Sequence, residues 1–368
     1  MTIAFIAAFF LFLWLPTMDV LFYQDTVPQV NEKRVLARFP VFQSGVAGIR
    51  NFITGLEDYY NDHFGFRKRM IYWGERWRLA WFNESPSANV IVGLNGWLYY
   101  QDDQSVADMR RTTSFTTKQL EAWKTLLEKR RDWLATRGIH YVFVVPPDKH
   151  NVYPEYLPAW IKRAGKTTRL DQFMDYMKTH STVPVLDLRK SLLQAKQSGV
   201  IYFQTDTHWN EFGGFIGYQE LMHSLAAQMP QIKPLPIADF DRATNSQAGG
   251  NLASMLAESK SVKEKYAVNF SARAPLQQLV LQKDHSGTAT LSSTNPKATG
   301  KAIVFRDSFS EAWAPFIGYN FNEVIYRWQY KWDYSLIEKE KPNVVIDELL
   351  EHYFYQQDPE TLDAVARL

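Results

Sequence analysis

Cysteine is absent from the 368-residue chain. This absence excludes disulfide bonds, zinc sites built on cysteine and thiol nucleophiles, and it is compatible with an oxidising compartment without requiring one. The chain also has no large net charge, because its 41 Lys and Arg residues nearly balance its 39 Asp and Glu residues. This near-neutral balance gives no reason to expect nucleic acid as a partner.

Hydrophobic residues make up 46% of the chain and aromatic residues 15%. These fractions exclude an intrinsically disordered chain, a collagen-like repeat and a polytopic membrane protein. The length is ample for a buried core, so the sequence is compatible with one large α/β domain or two smaller ones.

The N-terminus carries the longest apolar run. Residues 3–15 are uninterrupted apolar sequence, and the run continues to Phe22 with Asp19 as its only charge. A helix needs roughly 20 residues to span the hydrocarbon layer of a membrane. Because no small-x-small cleavage site follows, residues 1–25 are predicted to be a retained signal anchor rather than a cleaved signal peptide, and a buried core helix is the remaining alternative. The rest of the chain then lies outside the cytoplasm.

Residues 26–89 are predicted to form a helical extension that packs as support, because apolar side chains recur at helical spacing along it. In residues 90–100 we expect two short strands joined by a tight turn at Asn95 and Gly96, two residues that tolerate a positive φ. Residues 116–137 have the pattern of a surface helix that Gly138 terminates.

Short apolar runs then alternate with helical stretches. The runs cover residues 139–145, 183–188, 301–305, 323–328 and 343–350, and a helix is expected over 212–227. This alternation predicts an α/β domain over residues 90–368, with a parallel sheet flanked by helices on both faces. The polar stretch at about 230–300 is interpreted as an insertion or a surface excursion without a core of its own. Ligands are expected at the carboxyl ends of the strands.

Two blocks of polar residues fall at such positions. Asp206 and His208 stand two apart just before the predicted helix, where the carboxylate can hold the imidazole Nδ1 proton and leave Nε2 as a base. Ser308 follows the run 301–305 and precedes a predicted helix over residues 311–316. A nucleophile at a strand-to-helix turn is exposed, and helix amides can stabilise an oxyanion there.

Each of these residues also has a structural alternative. Ser308 and Asp206 suit the capping of a helix, and His208 suits a hydrogen-bonded structural role. Asp206 and His208 could also begin a metal site, but no third ligand stands at a suitable spacing nearby. No metal and no cofactor are therefore expected.

Six segments, taken together and in this order, carry a resemblance to a known family. They are EDYYNDHFGFR (57–67), GWLYY (96–100), VVPPDKHNVYPEYLP (144–158), TDTHWN (205–210), GGNLASML (249–256) and RDSFS (306–310). This combination resembles the AlgJ and AlgX family of SGNH-hydrolase-like polysaccharide O-acetyltransferases. The resemblance implies a circularly permuted SGNH-type fold, with Ser308 as nucleophile, His208 as base and Asp206 as the acid that orients the base.

The sequence departs from the wider SGNH pattern at two places. Arg306 stands where Gly-Asp-Ser has its glycine, which puts the shape of the nucleophile turn in question. The segment 343–354 offers Glu348, Glu351 and His352 where the wider pattern supplies an asparagine, so the side-chain donor to an oxyanion is open. Further candidates for oxyanion or substrate binding are Phe309, Tyr326, Arg327, Lys149 and Tyr153, with core or surface roles as their alternatives.

By this resemblance the chain is a periplasmic enzyme of alginate-like exopolysaccharide biosynthesis, anchored to the inner membrane. It is expected to pass acetyl through Ser308 to hydroxyls of a polysaccharide acceptor. A membrane-bound O-acyltransferase is expected to supply the acetyl, and other export or modification subunits are expected as partners. Two alternatives stay open: an extracytoplasmic carbohydrate acetyl esterase, and a non-catalytic assembly or glycan-binding subunit of an exopolysaccharide machine.

Overall fold

The computed structural model describes residues 2–22, 36–78, 81, 85–102, 104–256, 262–276, 279–283 and 290–362. Its strands are β1 (Val90–Val92), β2 (Leu98–Tyr100), β3 (His140–Val145), β4 (Val185–Asp187), β5 (Phe240–Ala248), β6 (Lys263–Ala272), β7 (Gln282–Lys283), β8 (Thr290–Thr294), β9 (Lys301–Arg306), β10 (Glu323–Trp328) and β11 (Val344–Glu348). Its helices are α1 (Thr2–Phe22), α2 (Val46–His63), α3 (Arg67–Trp77), α4 (Ser105–Met109), α5 (Thr117–Ala135), α6 (Lys149–Val152), α7 (Arg169–His180), α8 (Arg189–Ala195), α9 (Glu211–Ala226), α10 (Asn251–Met255), α11 (Ala314–Ile317), α12 (Tyr334–Glu340), α13 (Glu351–Gln356) and α14 (Pro359–Leu362).

The main sheet has the strand order β4-β3-β11-β9-β10-β8-β7. From β4 to β10 neighbouring strands run parallel, as predicted, but β8 is antiparallel to β10 and β7 is antiparallel to β8. The prediction of a wholly parallel sheet is therefore wrong at one edge, and the sheet is mixed. The sequence of β8, TLSST, is polar, and β8 lies next to the edge strand β7, which is why it reads as part of the polar stretch 230–300.

Helices cover both faces of the parallel strands, so β3 is buried on both sides. Its side chains alternate between two hydrophobic clusters. Val144 belongs to the cluster that contains Phe215 of α9, whereas Phe143 belongs to the cluster that contains Trp123 of α5. This double burial explains the continuous apolar runs by which the strands are recognisable in the sequence.

The predicted hairpin and the helix after it are confirmed. β1 and β2 pair antiparallel, and the turn between them has φ +56° at Asn95 and +79° at Gly96. Thr116 caps α5 through a reciprocal hydrogen-bond pair with Gln119. After α5 the chain leaves the helical direction at Gly138, whose φ is +69°.

The N-terminal segment differs from the packed support that was expected. Asp19 of α1 accepts a hydrogen bond from the Phe66 amide at 2.9 Å, and its carboxylate lies 3.6 Å from the Arg69 guanidinium. Yet α2 and α3 leave large apolar side chains exposed, among them Val46, Ile53, Met70, Trp73 and Trp77. The expectation of packed support is therefore wrong for these two helices. Residues 26–35, 79, 80 and 82–84 of the predicted extension lie outside the described residues.

Among the described residues, no helix is both long enough and apolar enough to cross a membrane. The signal anchor stays a prediction.

Candidate active site

The carboxyl ends of β3, β9 and β11 lie side by side, because these strands are adjacent and parallel in the order β3-β11-β9. Ser308 is two residues beyond the end of β9 and begins a 3₁₀ turn, Ser308–Ala312. The helix predicted over residues 311–316 is instead this turn followed by the one-turn helix α11. A helix macrodipole therefore does not contribute to this turn, since so short a helix has a negligible dipole.

His208 and Asp206 lie on the loop before α9. This loop is closed at its base by the pairing of Tyr202 with Trp209 and by a hydrogen bond from the Phe203 amide to the His208 carbonyl at 3.1 Å. The loop is short and tied at both ends, so it presents the two side chains in a fixed direction toward the end of β9.

The structure brings Ser308, His208 and Asp206 together. His208 Nε2 lies 2.7 Å from Ser308 Oγ, and His208 Nδ1 lies 2.6 Å from Asp206 Oδ1. With Nδ1 protonated, the imidazole donates to the carboxylate and accepts from the serine hydroxyl, which is the arrangement of a general base on a nucleophile. The phenyl ring of Phe309 packs against the imidazole, with 5.0 Å between the ring centroids.

Asp206 is an anion in this arrangement. Burial would raise the pKa of its carboxyl group, but the hydrogen bond and charge of His208, together with the amide of Asn251, outweigh burial and lower that pKa to about 2. Its second oxygen, Oδ2, accepts from the Asn251 amide at 2.7 Å. The carboxylate is thus held from both sides and can fix the tautomer of His208.

Two residues of this site had no role assigned from the sequence, Gly250 and Asn251. The Asn251 side chain accepts a hydrogen bond from the Thr207 amide at 2.9 Å, between the two triad residues of the loop. A Cβ atom on Gly250 would lie 2.4 Å from Asp206 Cβ, so the backbone approaches the carboxylate more closely than any side chain allows. The Gly-Gly-Asn of the segment 249–256 was the available signal.

Asp307 fixes the nucleophile turn to the segment between β11 and α13. Its Oδ1 accepts from the Phe309 amide at 2.9 Å, and its Oδ2 accepts from the Leu350 amide at 2.8 Å. The single N–H of Phe309 is therefore engaged, which contradicts its predicted role as an oxyanion donor. The Ser308 amide has no acceptor among the described residues and is the backbone donor that remains for an oxyanion.

Arg306 is buried beneath the turn, and its guanidinium lies 3.5 Å from the carboxylate of Glu311, a residue of that turn. Its guanidinium donates to the Asp307 carbonyl at 3.0 Å and lies 4.8 Å from the centroid of the Trp328 ring. Glu348, its neighbour on β11, is buried as well, and burial raises the pKa of this carboxyl well above its usual value, an effect that the nearby Asp307 charge reinforces. Arg306 in the glycine position is thus accommodated by the core beneath the turn.

Tyr326 and Arg327 lie in the sheet and do not reach the triad. The Tyr326 side chain is fully buried, and its hydroxyl donates to the Ala314 carbonyl at 2.7 Å. Arg327 donates to the Thr290 hydroxyl of the antiparallel strand β8 at 2.7 Å. The buried hydroxyl of Tyr326 is used within the fold, which contradicts its predicted substrate-binding role. The substrate-binding role of the partly exposed Arg327 stays a prediction.

Lys149 is buried behind the loop of Asp206 and His208. Its ammonium donates to three backbone carbonyl oxygens of that loop, namely those of Asp206 at 2.7 Å, Phe203 at 3.1 Å and Gln204 at 3.3 Å. All three N–H groups of a protonated lysine are then used, so Lys149 holds the loop and does not bind substrate directly.

Tyr153 is part of the core around this loop. Its hydroxyl accepts from the Ile201 amide at 3.0 Å, and its ring stacks on Trp97 with 4.4 Å between centroids. The substrate-binding role predicted for Tyr153 is therefore wrong. Within the described part of the chain, no group of three or more His, Cys, Asp or Glu side chains is arranged to hold a metal ion.

The mixed α/β sheet, with a hydrogen-bonded serine, histidine and aspartate at the carboxyl end of its parallel strands, defines an SGNH-hydrolase-like protein. Residues 90–316 match the family model described as "SGNH hydrolase-like domain, acetyltransferase AlgX". The chain belongs to this family, and the resemblance read from its sequence is confirmed.

Relatives with assigned names support the same family. The chain is 30% identical over 150 residues to the probable alginate O-acetylase AlgJ of Pseudomonas fluorescens, a match that covers 40% of this chain and 36% of the relative. It is 26% identical over 175 residues to the probable alginate O-acetylase AlgJ of Pseudomonas syringae pv. tomato, covering 47% of this chain and 42% of the relative. The chain thus spans less than half the length of these relatives.

Solved structures support the fold. The structure of Bacillus cereus PatB1 superposes with a TM-score of 0.55 at 19% identity, covering 75% of this chain and 98% of PatB1. A DHHW family protein from Eubacterium siraeum superposes with a TM-score of 0.51 at 14% identity, covering 74% of this chain and 97% of that protein.

Proposed function

We propose that this protein is an O-acetyltransferase that carries acetyl on Ser308 and transfers it to hydroxyls of an extracytoplasmic polysaccharide. The observation that supports the proposal is the continuous hydrogen-bonded chain from Ser308 Oγ through His208 to Asp206, with 2.7 Å and 2.6 Å between the paired atoms. Membership of an acetyltransferase family supports acetyl as the acyl group.

In the first half-reaction, His208 Nε2 takes the proton from Ser308 as Oγ attacks the carbonyl carbon of an acetyl ester. The Ser308 amide donates to the oxyanion of the tetrahedral intermediate. His208 then returns the proton to the departing oxygen of the donor, and acetyl-Ser308 remains. Asp206 stabilises the imidazolium that forms between these two proton transfers.

In the second half-reaction, His208 removes the proton of a sugar hydroxyl as its oxygen attacks acetyl-Ser308. The proton returns to Ser308 Oγ when the acyl bond breaks, so the product is an O-acetylated sugar and a free serine. Water in place of the sugar would give acetate, which is the esterase outcome. Transfer therefore requires that the acceptor be held at the site ahead of water.

The setting of this reaction is part of the proposal. The relatives named probable alginate O-acetylase favour an alginate-like exopolysaccharide as the acceptor. An acetyl donor outside the cytoplasm requires delivery across the membrane, which we assign to a membrane-bound O-acyltransferase acting with other polymer-modification subunits. Residues 1–25 would hold the enzyme at the inner membrane with its domain in the periplasm. The Asp-x-His block preceding the serine block along the chain supports a circularly permuted SGNH order.

The test uses the full chain in detergent, a chromogenic acetyl ester as donor and an alginate oligosaccharide as acceptor. Ser308→Ala is compared with the wild type and with Ser198→Ala, a control at an exposed serine. We expect acetyl on the sugar, and on the peptide that contains Ser308, in the wild type and the control but not in Ser308→Ala. Mass spectrometry detects both products.

Acetate release without sugar acetylation would favour the esterase. Ester turnover that persists unchanged in Ser308→Ala would refute the proposed mechanism.

A further inference from the structure

A second histidine–aspartate pair lies beside the triad. His352 Nδ1 is 2.6 Å from Asp148 Oδ1, the same separation as in the pair formed by His208 and Asp206. Both residues are buried, each with 8% of its surface exposed. The triad does not use this pair, and neither residue has a role in the chemistry described above.

The sheet topology explains why the two pairs are neighbours. Asp148 follows the end of β3, and His352 follows the end of β11, the strand that lies between β3 and the serine-bearing β9. Asp307, next to Ser308, interacts electrostatically with both His208 and His352. The second pair is therefore at the same edge of the sheet as the nucleophile.

A small cavity connects the second pair to the triad loop. It has a volume of about 20 Å³ and is lined by residues that include Tyr100, Asp148, Lys149, Thr207 and His352. Thr207 stands between Asp206 and His208, and successive Cα atoms are about 3.8 Å apart, so the cavity wall is one residue from the catalytic base. The volume suits one water molecule or one hydroxyl group, and it is too small for a sugar ring.

The polar groups around this cavity are not equally available. Lys149 directs its ammonium to three backbone carbonyls, and Asp148 Oδ1 holds the Nδ1 side of His352. Nε2 of His352 has no hydrogen-bond partner among the described residues, so it is the ring nitrogen left for a ligand.

Asp148 favours the protonated form of the His352 imidazole. Burial alone would lower the pKa of the imidazole, but the charge and the hydrogen bond of Asp148 outweigh burial and raise it above the usual value. In the protonated ring both nitrogens carry hydrogen, so Nε2–H is a charge-assisted donor. The partly exposed Tyr100 ring lies 5.4 Å from the imidazole, between centroids, and supplies an aromatic surface of the kind on which a sugar packs.

We propose that the pair formed by His352 and Asp148 is an acceptor-binding site, in which His352 Nε2–H donates to a hydroxyl oxygen of the acceptor saccharide that enters the cavity in place of water. Asp148 is the positioning residue that orients the imidazole through Nδ1. This inference rests on the proposed function and names how the acceptor is held next to acetyl-Ser308. It accounts for the preference for a sugar hydroxyl over water that transfer requires.

The experiment measures acceptor binding apart from catalysis. The full chain carrying Ser308→Ala is titrated with an alginate tetrasaccharide by calorimetry, alone and combined with His352→Gln, Asp148→Asn or His180→Gln. His180 is an exposed histidine of α7 and serves as the matched control. We expect Kd to rise about tenfold in the first two combinations, as for loss of one charge-assisted hydrogen bond, and to stay unchanged in the control.

The side-chain signals of His352, assigned by comparison with His352→Gln, give a second measurement by NMR. We expect them to shift on addition of the tetrasaccharide to the Ser308→Ala chain. An unchanged Kd in His352→Gln, or unshifted His352 signals at saturation, would overturn the proposal. So would a weakened Kd accompanied by a large fall in melting temperature in both His352→Gln and Asp148→Asn, because that pattern assigns the pair a structural role.

A different measurement, ester turnover, would show whether the proposed function itself fails. Ester turnover that does not depend on Ser308 refutes the acyl-enzyme, whatever the tetrasaccharide titration shows.

Discussion

The ammonium of Lys149 lies 2.7 Å from the backbone carbonyl oxygen of Asp206. This contact joins α6, the short helix that follows β3, to the loop that carries two of the three triad residues. Because the same ammonium also binds the carbonyls of Phe203 and Gln204, it is a main support of the loop that carries Asp206 and His208.

Replacing Lys149 with methionine is expected to loosen this loop. Three buried carbonyl oxygens lose their donor, and His208 is no longer held at hydrogen-bond distance from Ser308. We expect kcat for a chromogenic acetyl ester to fall on the order of 10²-fold with a smaller change in KM, since positioning is lost rather than substrate contact. Lys190→Met, at an exposed lysine of α8, is the control. Equal kcat values in the two variants would contradict the role of Lys149.

The same lysine predicts a pH dependence. Burial lowers the pKa of Lys149 to about 7, against the attraction of Asp206 and Glu264. Above this pKa the neutral amine has two N–H groups for three carbonyls, so kcat is expected to fall as the pH rises past about 7.

The effect of the same group on the free energy of unfolding has the opposite sign. Between the folded pKa and the usual value of 10.5, the unfolded chain binds a proton that the folded chain has released, so this group's contribution to the free energy of unfolding rises with pH.

Activity and melting temperature measured across pH 6–9 check this prediction. Lys149→Met provides the reference, because it has no ammonium to lose. A falling limb of the same size and midpoint in Lys149→Met would assign the limb to another group.

Asp206→Asn tests the orientation of the base. The asparagine amide keeps the shape of the carboxylate but has only one acceptor atom. It therefore cannot accept hydrogen bonds from both His208 Nδ1 and the Asn251 amide, as the two oxygens of Asp206 do. The wrong tautomer of His208 then faces Ser308. We expect kcat to fall on the order of 10³–10⁴-fold, as for the equivalent change in serine proteases. Burst kinetics with the chromogenic ester would show whether acylation of Ser308 is the step that slows, and a loss of less than tenfold would argue against this role.

The sequence was sufficient for much of the fold because local pattern and burial agree there. The strand expected at residues 323–328 is β10, with the same bounds, and the turn at Asn95 and Gly96 follows from their tolerance of positive φ. Asp206 and His208 were recognisable because a two-residue spacing places a carboxylate beside an imidazole regardless of the wider fold.

The parts that were missed depend on distant segments. Asn251 reaches Asp206 across 45 residues, and no local spacing encodes that approach. Phe309 was expected to donate to an oxyanion, but the acceptor that engages its amide is the side chain of Asp307, a capping interaction that depends on the exact turn. The role of Lys149 was misjudged for a similar reason, since its three acceptors are backbone atoms on another loop.

Gly250→Ala tests the close approach to Asp206. The added Cβ would lie 2.4 Å from Asp206 Cβ and 2.5 Å from Oδ2, so either the carboxylate or α10 has to move. We expect kcat to fall at least tenfold, with a smaller effect on melting temperature. Gly74→Ala is the matched control, because a Cβ at that glycine of α3 meets no atom within 4 Å. The prediction fails if Gly250→Ala retains the activity of Gly74→Ala.

Glu348→Gln tests the buried acid beneath the nucleophile turn. Neither carboxyl oxygen of Glu348 has a hydrogen-bond donor among the described residues, and burial together with the nearby Asp307 raises its pKa well above the usual 4.5. Below pH 4.5 the folded and unfolded chains both hold the proton, so the wild type and the variant are expected to have similar stability. As the pH rises, the unfolded chain ionises Glu348 while the folded chain keeps the proton, and the free energy of unfolding of the wild type falls.

Glutamine has the shape of the protonated acid and does not ionise, so Glu348→Gln is expected to melt above the wild type at pH 8, by on the order of 2–4 °C, and to lose this advantage toward pH 4.5. Glu338→Gln, at an exposed carboxylate that pairs with Arg137 on the surface, is the control and is expected to show little change at either pH. A constant difference between the wild type and Glu348→Gln across this range would mean that Glu348 is ionised in the folded protein. Arg306, its neighbour on β9, would then be the counter-ion that holds the charge, and Arg306→Met would melt far below the wild type at pH 8 but not at pH 4.5.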